Sequence, residues 1–168
     1  HLVLDHDGYL PCFCVMTEGK VHDVKVAHSL SFEPGTVVVD DRGYNDYRLF
    51  SKWIEDEVYF VTRMKDSALY TVVENRPVSQ NRSVLKDQII LLSGSGAWEK
   101  CPYPLRRVEV WDTKKEEVLV FLTNHYDFGA TTISALYKER WQIELFFKAL
   151  KQNLKIKSFL GTSKNAVM

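Results

Sequence analysis

The sequence predicts an α/β domain, and three observations predict it. Thr36-Val37-Val38-Val39 is a continuous β-branched run, the composition of a strand buried on both faces. Tyr47, Phe50 and Ile54 recur at helical spacing soon after it. From Ala130 onward, Leu136, Ile143, Phe147 and Leu150 are spaced by 7, 4 and 3, which draws one apolar stripe along a helix.

The other elements follow in chain order. Leu2–Leu4 and Cys12–Thr17 read as strands joined through Asp5-His6-Asp7-Gly8, a hairpin signal. Val24–Leu30 reads as a short helix leading into the turn at Pro34-Gly35. The strand Thr36–Asp40 ends abruptly at Asp40-Asp41-Arg42-Gly43; a helix over Tyr44–Glu55 and a strand over Val58–Thr62 come next. Between about residues 66 and 128 the texture changes to short β pieces and polar turns. The pieces are Ala68–Val73, Gln88–Leu92, Arg107–Trp111 and Val118–Thr123, with Asp112–Glu117 as a charged hairpin connection. This stretch reads as a mostly β insertion within a βα domain, with Asn75–Lys86 and Ser93–Glu99 as its mobile loops. The final helix is expected to reach about Leu154 before Gly161-Thr162-Ser163 interrupts it.

Composition narrows the class. With 168 residues, 45% apolar and 26% charged, the chain has the content of one globular domain and not of a disordered tail. No apolar run approaches the ~20 residues of a membrane helix. His1-Leu2-Val3-Leu4-Asp5 lacks the order of a signal peptide and reads like the middle of a strand, so the chain is expected to be an excised piece of a longer protein. The three cysteines, Cys12, Cys14 and Cys101, show no Cys-x-x-Cys spacing, which fits a reduced, cytoplasmic setting. None of the five histidines has a metal-ligand spacing.

Net charge is zero, but its distribution is uneven. Residues 1–60 carry eleven acidic and five basic side chains, whereas Tyr137–Lys157 carries six basic and two acidic ones. That basic segment is either a phosphate-binding stripe or a solvated helix face. Within it, Tyr137, Arg140, Glu144 and Lys151 are spaced by 3, 4 and 7. On an unbroken helix of ~3.6 residues per turn they fall within roughly one-sixth of the circumference. A carboxylate flanked by cations and a phenol suits a metal ion holding a phosphodiester. Pairs such as Glu144 with Lys148 on an exposed helix would look the same.

Tyr137-Lys138-Glu139-Arg140-Trp141-Gln142-Ile143-Glu144 with Lys151, together with Asp41-Arg42-Gly43-Tyr44 closing the Val-rich strand, resembles the DDE transposases of bacterial insertion sequences. The likeness is to the group with the Tyr-Arg-Glu-Lys (YREK) signature. Further matches are Leu4–Pro11, His22-Asp23, Phe60–Lys65 and Phe159–Ser163, so the resemblance runs along nearly the whole chain. It implies a ribonuclease-H-like mixed sheet with flanking helices and a mostly β insertion before the C-terminal catalytic helix. On this reading residues 1–168 are a partial catalytic core lacking its first strand, with the insertion at about 66–128.

The resemblance also implies three metal-binding carboxylates. Asp41 takes the second place and Glu144 the third; the first lies upstream of Leu2–Leu4, since Asp5 and Asp7 match the turn after the family's second strand. Tyr137, Arg140 and Lys151 match phosphate-contacting positions, and Arg42, Arg63 and Lys65 join them as DNA-contacting candidates, each with a solvated or structural reading beside it. Asp40 reads as a cap or turn acid; Trp98 and Trp111 read as strand-packing residues, with stacking on a flipped base as the alternative. The implied cofactor is Mg²⁺ or Mn²⁺, two ions in the complete enzyme. The implied partners are the transposon ends and target DNA, bound by a homodimer of a bacterial, nucleoid-associated protein, with no membrane.

The expected activity is metal-dependent DNA cleavage and strand transfer by the parent transposase, with this fragment inactive for want of the first Asp. The alternatives are a catalytically inactive DNA-binding remnant and a metal-dependent nuclease without strand transfer.

Overall fold

The computed structural model describes residues 2–4, 11–14, 23–78, 83–140, 145, 148, 149 and 152. The chain divides into two compact units, one formed by Val15–Glu139 and the other by Leu2–Cys14 with Arg140–Met168. In the second, β1 (Leu2–Leu4) and β2 (Pro11–Cys14) pair antiparallel with Val3 opposite Phe13. The expected hairpin is present, and the expected continuation of β2 to Thr17 lies outside the described residues. Leu145, Lys148, Ala149 and Gln152 are helical.

The first unit begins with α1 (Asp23–Ser29) and β3 (Val37–Val39), followed by a 3-10 turn at Arg42–Tyr44. Next come α2 (Tyr47–Glu55) and β4 (Tyr59–Arg63). α2 starts at Tyr47 and not at Tyr44 because Asp46 is its N-cap: the carboxylate accepts from the Leu49 N–H at 2.9 Å, which satisfies a helix donor that has no partner within the helix. β5 (Tyr70–Asn75), β6 (Val84–Leu92), α3 (Ala97–Lys100), β7 (Leu105–Asp112), β8 (Glu117–Thr123) and α4 (Ala130–Glu139) complete the order.

Two loops were drawn too long by sequence. β6 runs back to Val84, where Lys86 and Asp87 break the apolar alternation; Asp87 is nevertheless buried, against Arg106. Part of Ser93–Glu99 is α3, which places Ala97 and Cys101 in the core. The last helix, expected to be continuous to Leu154, ends as α4 at Glu139, with Arg140 in a turn.

β3 to β8 form one six-stranded sheet in the order β3-β4-β8-β7-β6-β5. β3 and β4 are parallel, Val38 opposite Phe60, and every other pairing is antiparallel. The strands between residues 66 and 128 therefore extend the sheet that β3 and β4 begin.

Alternation along each strand sorts the side chains onto two faces. Val38, Phe60 and Leu122 join α2, where Leu49, Phe50 and Trp53 are buried. Phe50 stacks on Phe60 with ring centroids 4.6 Å apart and 7° between planes. Val37, Val39, Val61, Val108 and Phe121 face the other way and cluster with Ile133, Leu136 and Tyr137 of α4. Ile133 is fully buried, and truncating a side chain of that kind typically costs about 2–5 kcal/mol.

The result is an α/β fold with a mixed, open sheet and flanking helices, consistent with a ribonuclease-H-like architecture. Among the described residues no helix is long and apolar enough to cross a membrane.

Candidate nucleic-acid interface and active site

Parallel neighbours bring their carboxyl ends to one edge of a sheet, where an α/β fold gathers functional groups. β3 and β4 do this here. Their ladder continues one step past β3, with the Asp40 N–H donating to the Val61 carbonyl at 3.2 Å. Asp41 is still extended, with φ −88° and ψ 172°, and its Oδ1 accepts from the Gly43 N–H at 2.6 Å. Asp41 thus caps the 3-10 turn. A Cβ on residue 43 would stand 2.8 Å from that Oδ1, so glycine is what lets the carboxylate close over the turn. Alternation assigns Asp41 to the side of Val37 and Val39, which is the α4 side, and Asp40 to the side of Val38. The sequence suggested Asp40 as the cap or turn acid. Asp41 fills that place, and Asp40 is buried.

Hydrogen bonds sew the turn after β3 to the end of β4. The Thr62 hydroxyl donates to the Asp41 carbonyl at 3.3 Å, and Asn45 Nδ2 donates to Thr62 Oγ1 and to the Arg63 carbonyl. Lys65 Nζ donates to the Asn45 carbonyl at 3.0 Å, and Arg42 pairs with Asp66 at 2.8 Å. Asp41, Arg42, Arg63 and Lys65 are therefore gathered at one edge. The Arg42–Asp66 pair is exposed, so water screens it and a phosphate can compete for the guanidinium. Sequence did not single out Asn45 and Thr62, which hold this corner; Asn45-Asp46 ahead of an apolar-periodic run is the signal that marks it.

Arg63 and Tyr137 each neighbour Phe121. Arg63 stands opposite Phe121 in the β4–β8 ladder, and the Tyr137 ring lies 5.1 Å from the Phe121 ring. Arg63 also lies 3.6 Å from Glu117. Lys138, one of the residues of the basic stripe, is tied to Asp112 at 3.3 Å. Burial pushes the Asp112 carboxyl up, but the Lys114 backbone N–H and the Lys138 ammonium outweigh it and hold the group below its ordinary range.

Arg140 is in the turn after α4 and belongs to the second unit. Glu144, Lys151 and Trp141 lie outside the described residues. Trp98 and Trp111 are 60% and 38% exposed, so the strand-packing role expected for them does not bury either ring. Among the described residues no group of three or more His, Cys, Asp or Glu side chains is placed to hold a metal ion. Asp41 is a hard oxygen donor of the kind that Mg²⁺ and Mn²⁺ take, but alone it does not make a site.

The family described as the transposase DDE domain matches residues 1–168. The chain belongs to the DDE transposase family. It is 36% identical over 171 residues to a Sinorhizobium fredii protein named as a transposase, y4zB, an alignment covering 99% of this chain and 48% of that protein. A Geobacillus stearothermophilus protein named as a transposase for insertion sequence element IS5377 is 28% identical over 177 residues, covering 99% of this chain and 44% of that one. A Synechocystis protein named as a transposase for insertion sequence element IS4SA is 24% identical over 165 residues, covering 94% and 44%. This DDE transposase chain spans less than half the length of those curated relatives.

Proposed function

We propose that this chain is the part of an insertion-sequence transposase, of the YREK group, that grips DNA and contributes two of three carboxylates to metal-dependent strand cleavage and transfer. By itself it binds DNA and does not cut it. One observation carries this reading: Asp41 stands at the carboxyl ends of β3 and β4 beside Arg42, Arg63 and Lys65, while the described residues complete no metal-binding group.

In this proposal Asp41 and Glu144 hold Mg²⁺ or Mn²⁺ together with an aspartate from an upstream strand. Residues 1–168 are then a partial ribonuclease-H-like core, and about 66–128 are its β insertion. Bound divalent ions supply a stabilised leaving oxygen and an activated water or 3′-hydroxyl. The chain's own side chains do the rest. Arg42, Arg63 and Lys65 neutralise phosphates at the strand edge, while Tyr137, Arg140 and Lys151 hold the DNA backbone, so the scissile phosphodiester is oriented before reaction. The complete protein acts on its transposon ends and target DNA as a homodimer in the bacterial cytoplasm.

The absence of a metal-binding group among the described residues also favours a second reading, a DNA-binding remnant without catalysis. One experiment separates them. The complete reading frame and this chain are each incubated with terminal-repeat DNA and Mg²⁺, with and without Glu144→Gln. The proposal expects binding by both proteins, cleavage by the complete protein alone, and loss of that cleavage in the variant. Binding without cleavage by the complete protein establishes the remnant. Cleavage that survives Glu144→Gln removes the carboxylate assignment.

A further inference from the structure

The segment between β8 and α4 has no secondary structure of its own, yet side chains hold its backbone: Arg76 donates to the Tyr126 carbonyl at 2.8 Å, and Arg106 reaches three carbonyls from the middle of the sheet. Arg106 of β7 is 2% exposed and Asp87 of β6 is 6% exposed. Arg106 Nε donates to Asp87 Oδ1 at 2.9 Å and one terminal nitrogen donates to Oδ2 at 2.7 Å, a two-pronged pair. The other terminal nitrogen donates to the carbonyls of His125, Tyr126 and Phe128 at 3.2, 3.2 and 2.6 Å. The N–H groups of the same segment are held as well: those of Asp127 and Phe128 donate to His125 Nδ1 at 3.3 and 3.2 Å.

We infer that Arg106 is a positioning residue, which fixes how α4 leaves the sheet and thereby where Tyr137 stands. Chemistry supports the choice of residue. A guanidinium is planar and carries five N–H donors in a rigid fork, so it can grip a carboxylate with one side and carbonyls with the other. A lysine has a single flexible ammonium and cannot span both. Asp87 neutralises the charge and sets the plane of the fork, so the carbonyls of the loop are read at a fixed angle. α4 starts two residues beyond Phe128, with Ile133 in the core and Tyr137 on Phe121. A change in that angle is passed along a rigid helix to Tyr137. The consequence for DNA chemistry rests on the strand-cleavage reading above; the clamp itself does not.

Hydrogen exchange followed by mass spectrometry on this chain tests the clamp, comparing wild type with Arg106→Lys and Asp87→Asn. Arg106→Lys is expected to speed exchange in residues 129–136 at least tenfold while leaving β3 and β4 unchanged. Asp87→Asn keeps an acceptor for Nε and is expected to give a smaller change in the same place, which keeps the test open if the lysine variant does not fold. Unchanged exchange in 129–136, or equal acceleration throughout, overturns the proposal, because a merely stabilising Arg106 would show no locality. In the complete reading frame, the clamp expects both variants to weaken binding of terminal-repeat DNA severalfold, as loss of the Tyr137 hydroxyl does, and to lower cleavage tenfold or more. A local exchange change in a protein whose wild type never cleaves DNA would remove the strand-cleavage reading and leave the clamp standing.

Discussion

Tyr137 rests its ring 5.1 Å from that of Phe121, with 48° between the planes. Phe121 in turn stands opposite Arg63. A candidate phosphate ligand on a helix and one on a strand thus share a single aromatic neighbour. The ring of Tyr137 is part of the fold, whereas its hydroxyl is the group proposed for DNA.

Two substitutions separate these roles. Tyr137→Phe keeps the ring contact, and its thermal or denaturant midpoint should fall less than that of Tyr137→Ala. Tyr137→Ala loses the contact and should cost about 1 kcal/mol or more, since an aromatic pair contributes ~0.5–1.5 kcal/mol beyond its buried area. On the proposed function, Tyr137→Phe should weaken binding of terminal-repeat DNA severalfold in a titration at fixed salt. Unchanged affinity would remove Tyr137 from the DNA-contacting set.

Gly43→Ala tests the corner that carries Asp41. The new Cβ would meet Asp41 Oδ1 at 2.8 Å, so the carboxylate has to swing away and its cap bond to residue 43 is lost. Loss of a cap typically costs ~0.5–2 kcal/mol, so urea denaturation should show a modest fall in stability. Cleavage by the complete protein should fall by a larger factor than stability alone explains, because Asp41 is displaced from its place at the strand edge. Equal stability and equal cleavage would mean that Asp41 does not need this orientation.

Acid should loosen the loop before α4. His125 is buried, and its Nδ1 accepts two backbone N–H donors, which only an unprotonated nitrogen can do. Burial holds its pKa below the ordinary histidine value; Asp127 opposes the shift and Arg106 adds to it. As pH falls, the unfolded chain therefore takes up this proton before the folded one does. The stabilising contribution is complete above about pH 6.5, the unfolded histidine value, and is lost as pH drops through the folded pKa below it. Denaturant midpoints at pH 7.5 and 5.5 should drop more in wild type than in His125→Gln. Parallel drops would show that His125 is not the group responsible.

Part of this architecture was legible in the residues. The β-branched run at Val37–Val39, the helical spacing in Tyr47–Glu55 and the hairpin at Leu2–Cys14 are local patterns, and local patterns survive into the fold. The turn at Asp41-Arg42-Gly43-Tyr44 was legible for a similar reason, since a strand that stops at Asp-Arg-Gly has to turn; its cap was read as Asp40 and is Asp41. β6 was read too short because Asp87 looks like a loop residue. Only burial against Arg106, nineteen positions away, makes it a strand residue, and no local pattern reports a partner that distant.

The amino-acid order by itself determined the α/β class and the turn that follows Asp41. The tertiary structure alone decided that β5–β8 extend the sheet begun by β3 and β4. It also decided that Phe121 stands opposite Arg63 and against the ring of Tyr137, and that Arg106 reaches from the sheet to the loop before α4. The division has a physical cause. Strand period, helix period and caps arise from neighbours a few residues apart, whereas sheet order and buried ion pairs depend on which distant segments exclude water together.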